Sequence, residues 1–303
     1  MNNFGNVSVE TVVNAEKFTA LILSLNLTPP VLIKPNWGTV ECYTEADILD
    51  WTLSAIPGEK LVLESHGWAR NEETLLQQKP AALTKANLRK GDRWFLEYSK
   101  INQVLDKHQV EYLNLTEEIW AGRNAEPALI QSIVEEKYAP VQFEDLYSKV
   151  PTRLYEMRGG TLLSLSKYKI VFYPLGVSLS IKNLFGLIPG PSRAIYHGKA
   201  HTCLDQNIVD INKIYRSLFT VKGVIDAVHS VGILDGEGQP TQVKPSCGLA
   251  FASEDLVSLD ALAATVAGRD PATVGHIRLA GQYFGSWDKQ TVLAASLNGI
   301  KVY

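Results

Sequence analysis

Between Ser178 and His201 the chain gathers side chains able to bind and move charge. Ser180, Lys182 and Asn183 stand in one run, and His197 and His201 follow, four residues apart, beyond a loop punctuated by Gly186, Pro189, Gly190 and Pro191. A lysine offers a compact cation for a carboxylate or phosphate, and serine and asparagine add directional hydrogen bonds. An imidazole titrates near neutrality and serves as general acid or base. Two earlier points carry similar groups: Lys34 and Asn36 in Lys34–Pro35–Asn36, and Glu64 with Ser65 and His66 behind it. Together they would suit proton transfer next to a carboxylate, with lysines stabilising the enolate-like charge that develops. We therefore expect Lys182, His197 and Glu64 to be the catalytic residues, His197 or Glu64 moving the proton while Lys182 and Lys34 hold the anion and its developing charge, and Lys34, Asn36, Ser180 and Asn183 to bind the ligand.

His201, Asp226, Asp235 and Asp255 are secondary candidates. With Glu237 and Asp260 the last two could form a carboxylate cluster for a divalent ion. Asp255 and Asp260 equally suit the start of an Ala-rich helix, and Asp226, among apolar residues, suits a loop cap. His197 and His201 lack a nearby acidic ligand and fall short of the four ligands of a structural zinc site, so no metal is expected.

These groups need strands to present them. Val31–Ile33, Leu61–Leu63 and Val110–Leu113 are short apolar runs separated by helical patterns. A further strand is expected over Lys169–Tyr173, leading into the Ser178 run, and others over Val224–Val228, Gly248–Ala252 and Ile300–Tyr303. Helices are expected near Thr44–Ile56 with Thr44 as cap, over Arg93–His108, Asn207–Phe219 and Leu256–Ala267, and from Asp270 to about Phe284. Strands alternating with helices give βαβ units. The expected fold class is thus α/β, a mostly parallel Rossmann-like sheet flanked by helices, in which ligands lie beyond the carboxyl ends of the strands. Trp37, Trp68 and Tyr173 fall near those ends and could wall a pocket. Residues 1–303 read as one α/β domain, with the weakly patterned stretch near 116–160 as the place where two lobes would divide.

Composition narrows the function classes. The 303 residues are 46% hydrophobic and 20% charged with a formal charge of -3, which offers no field for nucleic acid or an anionic membrane. No apolar run approaches the roughly 18 residues of a membrane span, and the first residues lack a signal-peptide layout, so a cytoplasmic location is expected. Cys42, Cys203 and Cys247 are widely spaced and contain no Cys-x-x-Cys, which argues against disulfides and against an iron–sulfur cluster held by this chain. No Walker loop, Gly-x-Gly-x-x-Gly or Gly-x-Ser-x-Gly follows any strand, so the familiar nucleotide-binding and acyl-enzyme devices are missing.

Several of these residues also form a pattern. Lys34–Pro35–Asn36, Ile181–Lys182–Asn183–Leu184–Phe185–Gly186 with His197, Asp226, Asp235–Gly236–Glu237–Gly238, Ala252–Ser253–Glu254–Asp255 with Asp260–Ala261, and Gly268–Arg269–Asp270–Pro271 occur in order from about Val31 to Val274. In this the chain resembles the family catalogued as domain of unknown function 362. It departs from many relatives just before the Lys182–Asn183 pair, reading Tyr173–Pro174–Leu175–Gly176–Val177–Ser178 where they have a Lys-Thr-His element. The resemblance implies a candidate site at Lys182 and Asn183. Because some relatives carry a ferredoxin-like cysteine module, it also implies a second possibility, a redox or metal partner of a separate iron–sulfur protein. A more remote, fold-level similarity links the arrangement to nickel-dependent lactate racemases, where lysine and histidine serve proton transfer on a hydroxy acid.

The expectation is a biosynthetic small-molecule enzyme, an isomerase or lyase, acting on an anionic carboxylate-type partner by proton transfer in isomerisation, elimination or cyclisation. The alternatives are the redox partner and a non-catalytic ligand-binding module. The cofactor is left unknown.

Overall fold

The computed structural model describes every residue except 12, 79–81, 173–174, 236–239, 246–247, 298–299 and 301–303. Among the described residues twelve strands run in chain order: β1 (Asn2–Phe4), β2 (Val7–Glu10), β3 (Val31–Lys34), β4 (Lys60–Glu64), β5 (Tyr112–Asn114), β6 (Thr161–Lys167), β7 (Lys169–Val171), β8 (Val177–Ser178), β9 (Thr220–Ala227), β10 (Ser230–Leu234), β11 (Pro240–Pro245) and β12 (Leu249–Ser253). Eight of them form the main sheet, in the order β1-β2-β12-β9-β6-β3-β4-β5. The run β9-β6-β3-β4-β5 is parallel, and β12, β2 and β1 extend it antiparallel. The chain is therefore α/β with a large, mostly parallel sheet flanked by helices.

Successive side chains of a strand point to opposite faces, and parallel strands are usually covered on both. Leu32, Leu61, Leu63 and Leu162 pack into one apolar cluster, and their neighbours Val31, Ile33, Val62 and Leu163 into the other. The stretch between Thr116 and Val150 belongs to the first cluster. Its helices Leu115–Trp120 and Pro127–Glu135 and the 3₁₀ turn Glu144–Lys149 seat Leu115, Ile130, Val134 and Leu146 on the sheet face. Its weak pattern reflects short elements, each too brief for a clear period.

β6 is a central strand that the apolar pattern does not reveal. All seven of its residues are buried, yet serines interrupt it. Their hydroxyls are satisfied internally, Ser164 by the carbonyl of Ser180 at 2.9 Å and Ser166 by that of Val224 at 3.1 Å, which offsets the cost of burying them. After the single residue Tyr168 the chain leaves the main sheet and enters a second one, ordered β11-β10-β7-β8. β9 makes the same transfer into β10, with β7 and β10 parallel. At the point of departure Lys167 and Asp226, both fully buried, pair at 2.9 Å. The small sheet forms one wall of the site.

Other boundaries also differ from the sequence reading. The expected Arg93–His108 helix is two helices, Lys85–Tyr98 and Ile101–His108, separated at Lys100, whose φ of 61° is left-handed. Glu45, rather than Thr44, precedes the helix Ala46–Ala55, because the Thr44 hydroxyl is used in accepting from the Asn36 amide at 2.9 Å. Beyond Asp270 there is a 3₁₀ turn, Pro271–Thr273, and a short helix, Gly275–Ala280, with extended Val274 between them. Most of the expected closing strand, residues 301–303, lies outside the described residues. No helix of the described residues is long and apolar enough to cross a membrane.

Candidate functional site

β3 and β4 end on Lys34 and Glu64, and these face each other across adjacent parallel strands. Lys34 Nζ donates to Glu64 Oε2 at 2.7 Å, to the Pro35 carbonyl at 2.7 Å and to Asn183 Oδ1 at 3.4 Å, which occupies its three hydrogens. Glu64 is equally committed. Its Oε2 accepts also from the Trp37 amide and its Oε1 from the Ser65 amide. Burial lowers the pKa of Lys34 to about 8, against the opposing pull of Glu64.

Asn183 ties this pair to the Lys182 segment. Its amide nitrogen donates to the Lys34 carbonyl at 2.9 Å and to Ser164 Oγ at 3.1 Å, while its oxygen accepts from Asn36 Nδ2 at 3.0 Å. The Asn36 oxygen in turn accepts from Lys169 Nζ at 2.7 Å. One network thus joins both sheets. Gly186 is needed beside it, because a Cβ there would stand 2.9 Å from Lys34 Nζ and 3.2 Å from Glu64 Oε1. The glycine of Lys182–Asn183–Leu184–Phe185–Gly186 lets the loop close over the ion pair.

A cavity of about 170 Å³ opens above this network. Lys34, Asn36, Glu64, Lys182, Asn183 and His197 all line it, so six of the seven primary candidates meet in one place. Ser180 does not. The segment that carries it is a one-turn helix, Ser180–Asn183, and Ser180 points into the core, where its hydroxyl and amide bond Asp260 Oδ1 at 2.5 and 2.9 Å. Asp260 Oδ2 accepts from the Ile181 amide at 2.9 Å. Ser180 is therefore an anchor for the lysine helix, and the expectation that it binds ligand is corrected.

Lys182 differs from Lys34 in having no hydrogen-bonding or ion-pair partner among the described residues. It is half-buried, and the pocket walls lower its pKa to about 8, helped by the charges of Lys169 and Arg193. Burial also depresses Lys169 and Arg193. These two cations line the same cavity, and the sequence reading does not include them. Arg193 is held by its Nε on the Ile188 carbonyl at 2.8 Å and by Nη2 on the His66 carbonyl at 3.3 Å. Glu64 is the one carboxylate among the described residues that line the pocket, and Lys34 already neutralises it.

His197 packs edge-on to Phe185, with ring centroids 5.2 Å apart, and its Nδ1 lies 3.2 Å from Nδ1 of His201. One of the two nitrogens must carry the hydrogen. Burial, followed by the charge of Lys182, lowers the His197 pKa to about 4, so its imidazole is neutral at neutral pH. His201 does not line the cavity. His66, which does, is committed through Nε2 to Glu117 at 2.8 Å and through Nδ1 to Asn114 at 3.1 Å. Trp37 and Trp68 both line the cavity, and Trp68 remains 41% exposed at its mouth. Tyr173 lies outside the described residues.

The remaining carboxylates are dispersed. Asp226 pairs with Lys167 and accepts from the Val228 amide, and Asp255 caps the helix Leu256–Val266 through the amides of Val257 and Ser258. Asp260, expected as a cap of that same helix, sits inside it and serves the lysine helix instead. Asp235 follows β10 without lining the cavity, and Glu237 lies outside the described residues. No group of three His, Cys, Asp or Glu able to hold a metal occurs among the described residues.

Neither the curated proteins nor the solved structures contain a match to the chain, and the remote likeness to lactate racemases is not supported by any comparison. One family model does match, over residues 31–265, which span every strand of the parallel run together with Lys34, Glu64, Lys182, Asn183, Arg193 and His197. The chain belongs to the family described as Domain of unknown function (DUF362).

Proposed function

We propose that the cavity binds a small anionic molecule of carboxylate type and that Lys182 moves a proton on it, in an isomerisation, elimination or cyclisation. The observation that carries this reading is the isolation of Lys182. It is a lysine without a counterion, beside two further cations, in a pocket whose lining carboxylate is already paired. With a pKa of about 8, roughly a tenth of the side chain is free amine at neutral pH, close to what a general base requires. Lys169 and Arg193 then hold the anion, and Lys169, tied to Asn36, faces the developing enolate-like charge. The neutral His197 ring is the second proton carrier.

Lys34 and Glu64 take a different part from the one their types suggest. Their mutual commitment makes them the frame that orients Asn183, and through it Lys182. Their roles are positional.

Binding of a probe anion tests the reading. An anion is favoured by the ammonium form of Lys182, so affinity is full below the pKa of the free side chain and falls as pH rises through it. Benzoate affinity, measured by titration calorimetry, is expected to be flat from pH 6 to about 7.5 and to drop towards tenfold per unit above about 8. In Lys182→Met that drop becomes shallower, the remainder coming from Lys34 and Lys169, whose ammonium groups burial also weakens. A profile that is the same in the variant and the parent contradicts the reading.

A further inference from the structure

The charge pattern of the pocket also limits what its ligand can be, granted that the pocket is the anion site proposed above. Once Glu64 is assigned to Lys34, three cations remain: Lys169 from β7, Lys182 from the one-turn helix, and Arg193 from the 3₁₀ helix Ser192–His197. Their hydrogens are only partly used. Lys169 Nζ bonds Asn36, and Arg193 bonds two carbonyls through Nε and Nη2, which leaves Nη1 and most of the lysine hydrogens without acceptors among the described residues. Ser65, 1% exposed, is also among the lining residues, and its hydroxyl is buried with no hydrogen-bond partner among the described residues. A buried hydroxyl left unsatisfied is costly, and its presence in a binding pocket marks where a ligand atom belongs.

A single carboxylate would neutralise one of the three charges and leave two repelling each other in a confined, poorly solvated space. A dianion matches the site. When Lys182 has given up its proton to work as a base, Lys169 and Arg193 remain, two charges for two. The lining also has an apolar part, Val171 and Leu234 of the small sheet together with Leu175 and Phe185. We propose that the ligand is amphipathic: a head group carrying two negative charges, held by Lys169, Arg193 and the Ser65 hydroxyl, on an apolar body that lies against the small sheet.

Four small aromatic probes separate the possibilities: benzoate, phthalate, phenyl phosphate and neutral benzamide, each titrated into the intact chain at pH 7.5. Either dianion is expected to bind at least tenfold more tightly than benzoate. The better of the two distinguishes a dicarboxylate head from a phosphoryl head. In Lys169→Gln and in Arg193→Gln, each checked for unchanged circular dichroism, the preference for dianions should shrink to about twofold. Benzoate binding as well as both dianions overturns the inference but leaves the anion site standing, provided that Lys182→Met still weakens it. A preference that survives in both glutamine variants overturns it as well. Benzamide binding as tightly as the anions removes the anion site itself.

Discussion

Lys182→Ala is expected to lower proton exchange catalysed by this chain by a factor on the order of 10² to 10⁴, the range associated with loss of a general acid or base. The readout is deuterium uptake at the carbon next to the carboxylate, followed by proton NMR over a panel of small carboxylates in heavy water. The fold should be untouched, because the Lys182 side chain is half-buried at a cavity and makes no hydrogen bond or ion pair with the described residues. An exchange rate equal to that of the parent would remove Lys182 from the chemistry.

Lys34→Met should act in the opposite way, on stability before activity. The change leaves Glu64, 3% exposed, without its cation, and removing one partner of a buried ion pair typically costs about 3–5 kcal/mol. The double variant Lys34→Met with Glu64→Leu should recover most of that loss, because two apolar side chains can replace a buried pair at little cost. Urea unfolding of the parent, both single variants and the double variant measures the coupling. If Lys34→Met weakens anion binding while stability is unchanged, Lys34 is a ligand-binding residue, as its position at a strand end suggests, and its role as part of the frame is wrong.

Much of this site is legible in the amino-acid sequence. Lys34 and Glu64 stand out because a short aliphatic strand ends on each, and in a parallel sheet those ends face the ligand. Ser180 is misleading for a specific reason. Treated as part of an extended run, Ser178, Ser180 and Lys182 alternate onto one side; wound into one helical turn, residues two apart lie about 200° apart, so Ser180 faces the core when Lys182 faces the cavity. Lys169 and Arg193 leave weaker traces. The main sheet hands over to the small one across the single residue Tyr168, with no glycine or proline to mark it, so Lys169 reads as the first residue of another core strand. Arg193, in the 3₁₀ helix Ser192–His197, is aimed at the cavity in part by the carbonyl of His66, 127 residues away, a contact that no local pattern encodes. Asp260 shows the same limit: it lies 80 residues from the Ser180 hydroxyl that it fixes.

On the proposed reading Lys182 is an uncompensated amine poised between its charged and neutral forms. Its titration can be followed directly by competitive labelling with acetic anhydride across pH 6 to 11, with peptide mass spectrometry reading the modification of each lysine. A midpoint near 8 is expected for Lys182, more than two units below the ordinary lysine value of about 10.4, with an upward shift when phthalate is bound. A Lys182 midpoint at the ordinary lysine value, unmoved by phthalate, would contradict it.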